Sequence, residues 1–360
     1  MNIQKAEPTV IPIAQCYPQF AEVQYVQVPQ SFSQVSAISP QLWGLMEYAQ
    51  TFSVRQHVKV LPKACCACPP CAKQENTFSI YAGLNQDNQM EVLRADEVSD
   101  DWNRTCCAPQ HPFKLEVRQY IPIPGDNATS DYAHISSELR GDWSRFTQRE
   151  RAENMRNLYK NSPVLFTILR NDGQRCFPYL CCCALPCKCL SFFVCAKCCQ
   201  DGAKIYAGQT PEIEKKELGR PYNPSMEAMI GSVTQPIYGG CCHPELHLRE
   251  GSADEASTPY GKVDGPCFFG GWSEMCCDFK FYTSYFASPT NTGDIALITK
   301  KKPQSMAGAA QELCCSGDAD NYQIQYNVNT KLSAGQKVSA WMTVAVIVTV
   351  MADTVCQLRH

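Results

Sequence analysis

The stretch Phe78–Val117, FSIYAGLNQDNQMEVLRADEVSDDWNRTCCAPQHPFKLEV, decides the fold class. At its start Phe78 and Ile80 flank polar Ser79, and at its end Phe113, Leu115 and Val117 alternate with Lys114 and Glu116. A two-residue period puts one set of side chains on one face of an extended chain and the other set on the opposite face. Both ends therefore predict half-buried antiparallel strands. The same pattern recurs between turn signals at Phe52/Val54, Leu246/Leu248, Phe279/Phe281 and Ile324/Tyr326, so the expected class is mainly β, a barrel or a sandwich.

Two segments depart from this period. Residues 137–160 are charged and free of proline, with Leu139, Trp143, Phe146 and Met155 at helical intervals, which predicts an inserted amphipathic helix. Such a helix either lays its apolar stripe on the barrel or docks on a partner or membrane surface. The second segment, Val338–Ala352 (VSAWMTVAVIVTVMA), carries no charge and is apolar on every face. As a helix of about 22 Å it is short of the roughly 30 Å hydrocarbon core, so burial in protein and insertion in lipid are both open, and its β-branched residues also permit a strand. Residues 1–45, rich in Pro, Gln and Ser, read as an extended arm ahead of a barrel domain over 46–360.

With 360 residues, 44% of them hydrophobic, the chain can bury a full core, and its formal charge of −3 comes from interspersed acids and bases. No basic field exists to hold a polyanion, so nucleic-acid binding is not expected. The 24 cysteines would suit a disulfide scaffold in a short secreted protein. Here the first residues lack the apolar core of a signal peptide, and many cysteines are adjacent pairs, which rarely reach disulfide geometry with each other. A reducing setting with free, acylated or metal-bound thiols is the expectation.

Four blocks, in order, resemble the phospholipid scramblase family. They are Thr77–Val117 with its Arg-x-Cys-Cys-x-Pro and Pro-Phe-x-Leu elements, Cys181–Cys189 (CCCALPCKC), the pair Ile230–Glu250 and Lys262–Tyr282, and Asp318–Tyr326 (DADNYQIQY) followed by the apolar segment. The blocks cover most of 75–355, interrupted near 119–163. The resemblance implies a tubby-like fold, a closed antiparallel barrel of about twelve strands around a hydrophobic C-terminal helix at 336–353. It also implies a membrane-associated protein on the cytoplasmic face, nominally moving phospholipids between leaflets in response to calcium. A non-catalytic structural or adaptor subunit built on the same fold is the alternative, with partners met through the arm and the 137–160 helix.

The candidate sites follow from thiol and carboxylate chemistry. Cys181, Cys182, Cys183, Cys187 and Cys189 lie beside Leu185, Leu190, Phe192, Phe193 and Val194, a setting suited to palmitoylation at a bilayer. One acyl chain holds weakly and two or more hold firmly. Cys187 and Cys189 with Cys195 and Cys198 form the competing set, a CxC and a CxxC that zinc would take as four thiolates; plain structural cysteines are the third reading. Cys68-Pro69-Pro70-Cys71 is a further CxxC with only Cys106-Cys107 as a partner. Asp318 and Asp320 occupy the first and third positions of the family's EF-hand-like calcium loop, but Gln323 stands where the turn wants Gly and Asn329 where a carboxylate would close the site. His243 and His247, four apart, suggest a metal only superficially, because Pro244 and the strand-like alternation deny the helix on which HExxH works. Lys300, Lys301 and Lys302 read as a solvated loop or a contact for anionic headgroups. No phosphate loop, nucleophile elbow or triad is present, so a conventional enzyme is not expected.

Overall fold

The computed structural model describes residues 40–57, 77–83, 89–99, 112–119, 163–170, 202–208, 229–237, 243, 245–251, 259–266, 278–285, 294–301, 321–327, 332 and 337. They form one helix, α1 (Pro40–Tyr48), and twelve strands: β1 (Thr51–His57), β2 (Thr77–Gly83), β3 (Gln89–Ser99), β4 (Phe113–Gln119), β5 (Val164–Arg170), β6 (Gly202–Ala207), β7 (Met229–Thr234), β8 (Glu245–Glu250), β9 (Gly261–Asp264), β10 (Phe279–Tyr285), β11 (Asp294–Lys301) and β12 (Asn321–Tyr326). Every strand pairs antiparallel with its sequence neighbour, and β12 returns to β1 through Phe52 opposite Ile324, closing an up-and-down barrel. Closure leaves no edge strand to recruit another chain. Register shifts at Ile80/Tyr81, Val117/Arg118, Ile205/Tyr206 and Thr283/Ser284 supply the local bends that a curved wall needs.

The two-residue period decides what lies inside. Phe52, Ile80, Leu115, Phe166, Ile205, Val233, Leu248, Val263, Phe281, Ile298 and Ile324 belong to one core whose members range from 0% to 8% exposed. Leu42, Trp43, Leu45, Met46 and Ala49 of α1 and its C-terminal edge join that core. Pro40 begins the helix with φ preset and no N–H to satisfy there. Residues alternating with the core are polar or charged, Arg55, Glu91, Arg94, Lys114, Glu116, Lys204 and Lys280 among them. A membrane-spanning barrel has the reverse pattern, and one Lys or Arg on its lipid face costs about 2–4 kcal/mol at the midplane.

The mainly β class and the closed antiparallel barrel of twelve strands are thus as expected. The inserted helix at 137–160 and the C-terminal apolar segment lie outside the described residues, except that Lys337 has helical backbone geometry. Gln119 and Val164 end and begin strands that pair with each other, so the stretch between them interrupts no barrel pairing. Helix α1 straddles residue 45, the expected junction of arm and barrel domain.

Candidate metal centre on the barrel wall

On β8, Leu246 and Leu248 point into the core, which turns Glu245 and His247 to the outer wall; on β9, Val263 points inward and Lys262 and Asp264 outward. Register then sets Glu245 opposite Asp264 and His247 opposite Lys262. His243, two residues before Glu245, brings its ring to the same place. The ligating atoms of His243, Glu245 and Asp264 lie within 4.8 Å of one another, all three residues being half-buried. On the far side of β9, Tyr282 of β10 pairs with Asp264 and is 48% exposed, placing a phenol ring beside the cluster.

Two carboxylates directly opposed across a strand pair repel each other, so the arrangement calls for positive charge. In this structure Lys262 supplies it: its ammonium stands 2.8 Å from Asp264 Oδ2, and the hydrogen bond to Asp264, with the charges of Asp264 and Glu245, raises its pKa despite partial burial. His247 Nε2 is 3.1 Å from Glu245 Oε1 and fixes that carboxylate's orientation. One imidazole and two carboxylates, with a second imidazole bonded to one of them, form a mixed nitrogen and oxygen donor set of the kind borderline divalent metals take.

His243 and His247, four apart, fit the spacing of a helical metal template but not its geometry. The strand denies that template, but its period of two puts Glu245 and His247 on one face, and His243, in a bend two residues before β8, joins them there. The signal that completes the set is Asp264 in the GKVD strand, recognisable only once β8 and β9 are paired.

The palmitoylation candidates Cys181, Cys182, Cys183, Cys187 and Cys189, and the zinc candidates Cys195 and Cys198, fall between β5 and β6 and lie outside the described residues. So do Asp318 and Asp320. The following residues Asn321–Tyr326 form β12, paired with β1 on one side and β11 on the other, with Tyr322, Ile324 and Tyr326 buried. An EF-hand-like loop beginning at Asp318 would draw ligands from that same stretch, whose backbone is already committed to the sheet. Lys300 and Lys301 end β11 and are not a solvated loop: Lys300 is buried, while Lys301 is exposed and sits 3.3 Å from Asp278.

A second concentration of polar groups, absent from the sequence reading, joins α1 to the C-terminal part of the chain. The Lys337 ammonium, 5% exposed, donates to the carbonyl oxygens of Glu47 and Ala49 and lies 5.5 Å from the centre of the Tyr326 ring. Tyr326 in turn donates its hydroxyl to the Lys337 carbonyl at 2.8 Å and meets Phe52 edge-on at 5.8 Å. These are structural fastenings and offer no open position for a ligand.

No protein-family model, curated protein or solved structure matches this chain.

Proposed function

We propose that this chain is a membrane-associated protein of the phospholipid scramblase type, held at the cytoplasmic face of a bilayer by acyl groups on Cys181, Cys182, Cys183, Cys187 and Cys189, with a barrel that is a packed body and not a conduit. The observation that carries this reading is the closed twelve-stranded barrel with an apolar interior and a charged outer wall. An eight-stranded interior is filled by its own side chains, and twelve strands enclose more. Helix α1, about 13 Å long, is shorter than a seven-residue strand of about 23 Å and leaves part of that space to another occupant. Val338–Ala352 has the uniform apolarity such an occupant requires. Lys337, the residue before it, is tied to the C-terminal end of α1, which supports a tubby-like arrangement with this segment inside the barrel.

An interior filled in this way has no polar groove for headgroups, and among the described residues no helix is long and apolar enough to cross a membrane. Any leaflet exchange therefore works by perturbing the bilayer from its surface. The packed barrel equally favours a second reading, a structural or adaptor subunit of a membrane-bound assembly. Reconstitution of the purified chain in vesicles carrying a labelled phospholipid separates the two. Exchange between leaflets, tested with and without calcium and in an Asp318→Ala/Asp320→Ala variant, supports scramblase activity; silence in every arm refutes it and leaves the adaptor role. Replacing the five cysteines by Ser is expected to release the protein from membranes, and retention at the membrane would overturn acyl anchoring.

A further inference from the structure

We propose that His243, Glu245 and Asp264 bind a divalent cation of the zinc class on the outer wall of the barrel, with His247 orienting Glu245 and Lys262 holding the site when no metal is bound. The inference rests on the wall of β8 and β9 and is independent of any lipid-related role. Three features converge. The donors arrive from two strands and from a bend two residues before β8, yet their ligating atoms lie within 4.8 Å of one another. A tetrahedral ion with bonds of about 2.1 Å would hold them about 3.4 Å apart, so rotations of side-chain termini suffice and no backbone need move. Glu245 and Asp264 are exact register partners in β8 and β9, a like-charge juxtaposition that a sheet does not tolerate without compensation.

Lys262 bonds one oxygen of Asp264, and His247 meets one oxygen of Glu245, so each carboxylate is approached from its own side. A dication between the two carboxylates relieves their mutual repulsion directly. The imidazole nitrogen then selects among ions: calcium and magnesium prefer sets made entirely of oxygen, whereas Zn²⁺ and its first-row neighbours accept mixed nitrogen and oxygen donors. Three protein ligands leave one position open to water, and the His247–Glu245 contact at 3.1 Å resembles the outer-shell bonds that hold ligands in place at metal sites. Among the described residues the site has no thiolate, which distinguishes its donor set of nitrogen and oxygen from one built on cysteines.

That separation makes the test specific. The full-length reduced protein is titrated with Co²⁺ and followed by absorption, because thiolate ligation gives an intense sulfur-to-cobalt charge-transfer band that a site of nitrogen and oxygen donors lacks. The expected result is one equivalent per chain with weak visible bands alone. His243→Ala and Asp264→Asn should each weaken that equivalent by more than the ten- to hundredfold typical of losing an outer-shell partner, while the circular dichroism of the metal-free barrel is unchanged. Lys262→Met, which removes the competing cation and no ligand, should tighten binding several-fold, an effect that damage to the fold would not produce. Asp264→Asn, being nearly isosteric, keeps the test valid if His243→Ala fails to fold. Cobalt bound only with the thiolate band, or equal affinity in the wild type and Asp264→Asn, would overturn the proposal.

Discussion

The Lys337 ammonium donates to the Ala49 carbonyl at 2.8 Å, joining residues 288 positions apart in the chain. Glu47 and Ala49 lie at the C-terminal end of α1, where carbonyls have no partner further along the helix and the helix dipole favours a cation. Lys337 supplies both, and Tyr326 of β12 secures it through a hydroxyl bond and a ring face. Because Tyr326 N–H also donates to Gln50 at 2.9 Å, helix, closing strand and C-terminal segment meet at one point.

Lys337→Met is expected to destabilise the barrel by about 1–3 kcal/mol at neutral pH, the cost of leaving buried acceptors unmet. Burial lowers the Lys337 pKa from 10.5 to about 8, against a smaller upward pull from Glu47. Between those values the unfolded chain keeps a proton that the folded chain has released, so folding gains stability as pH rises. The stability difference between wild type and Lys337→Met, measured by denaturant unfolding, should therefore widen from about pH 8 to pH 10.5. A difference that is flat or shrinks over this range would refute the assignment.

On β4 the sign is reversed. Burial pushes the Glu116 carboxyl up, but the Lys114 ammonium at 2.7 Å and the Arg118 guanidinium at 2.6 Å outweigh it and leave the pKa below the ordinary value. Both cations are 6% exposed, so Glu116→Gln removes the counter-charge that Lys114 and Arg118 share, expected to cost about 3–5 kcal/mol. A depressed carboxyl contributes its stability above the unfolded-state value and loses it as pH falls through the folded one. The gap between wild type and Glu116→Gln in urea midpoint should accordingly close under acid; a gap that persists there would count against the ion triad.

What the sequence made legible follows from burial. Strands with one wet face announce themselves by alternation, as β10 does with Phe279 and Phe281 buried against exposed Lys280 and Tyr282. β5 (VLFTILR) is buried on both faces, so it shows an apolar run broken only by Thr167 before Arg170 and no period. Its second face meets Tyr206 and Met229 through Leu169, a small cluster separate from the main core. Helix α1 is hidden by its nine-residue length inside a Pro/Gln/Ser-rich stretch, and it has no one-sided stripe to announce it, because residues 42–46 are all buried. The His243, Glu245 and Asp264 set is hidden for a different reason: His243 lies in a bend before β8, and Asp264 reaches Glu245 through register, which no single stretch of sequence encodes.

Gly202, at the start of β6, tests how closely the strands approach. A Cβ built there would stand 2.5 Å from the Val233 carbonyl oxygen of β7, a backbone atom that cannot swing aside. Gly202→Ala should lower stability by about 1–3 kcal/mol, the usual cost of overpacking. Lys204→Ala, on the exposed face of the same strand, should stay within about 0.5 kcal/mol of wild type. Thermal unfolding of the two variants side by side decides it, and equal melting temperatures would show that β6 and β7 are further apart than described.

Helix α1 gives the final contrast, because two aromatic residues five positions apart have opposite surroundings. Trp43 is 2% exposed within the barrel core, whereas Tyr48 is 47% exposed at the helix end. Truncating a buried aromatic side chain removes its transfer energy and leaves a cavity that a closed barrel cannot easily collapse, so Trp43→Ala should cost about 3–5 kcal/mol. Tyr48→Ser, which opens no cavity, should change stability by less than about 0.5 kcal/mol. If α1 were only an appendage of the arm, both variants would unfold at the denaturant midpoint of the wild type. A loss confined to Trp43→Ala would place the helix in the barrel's cooperative unit.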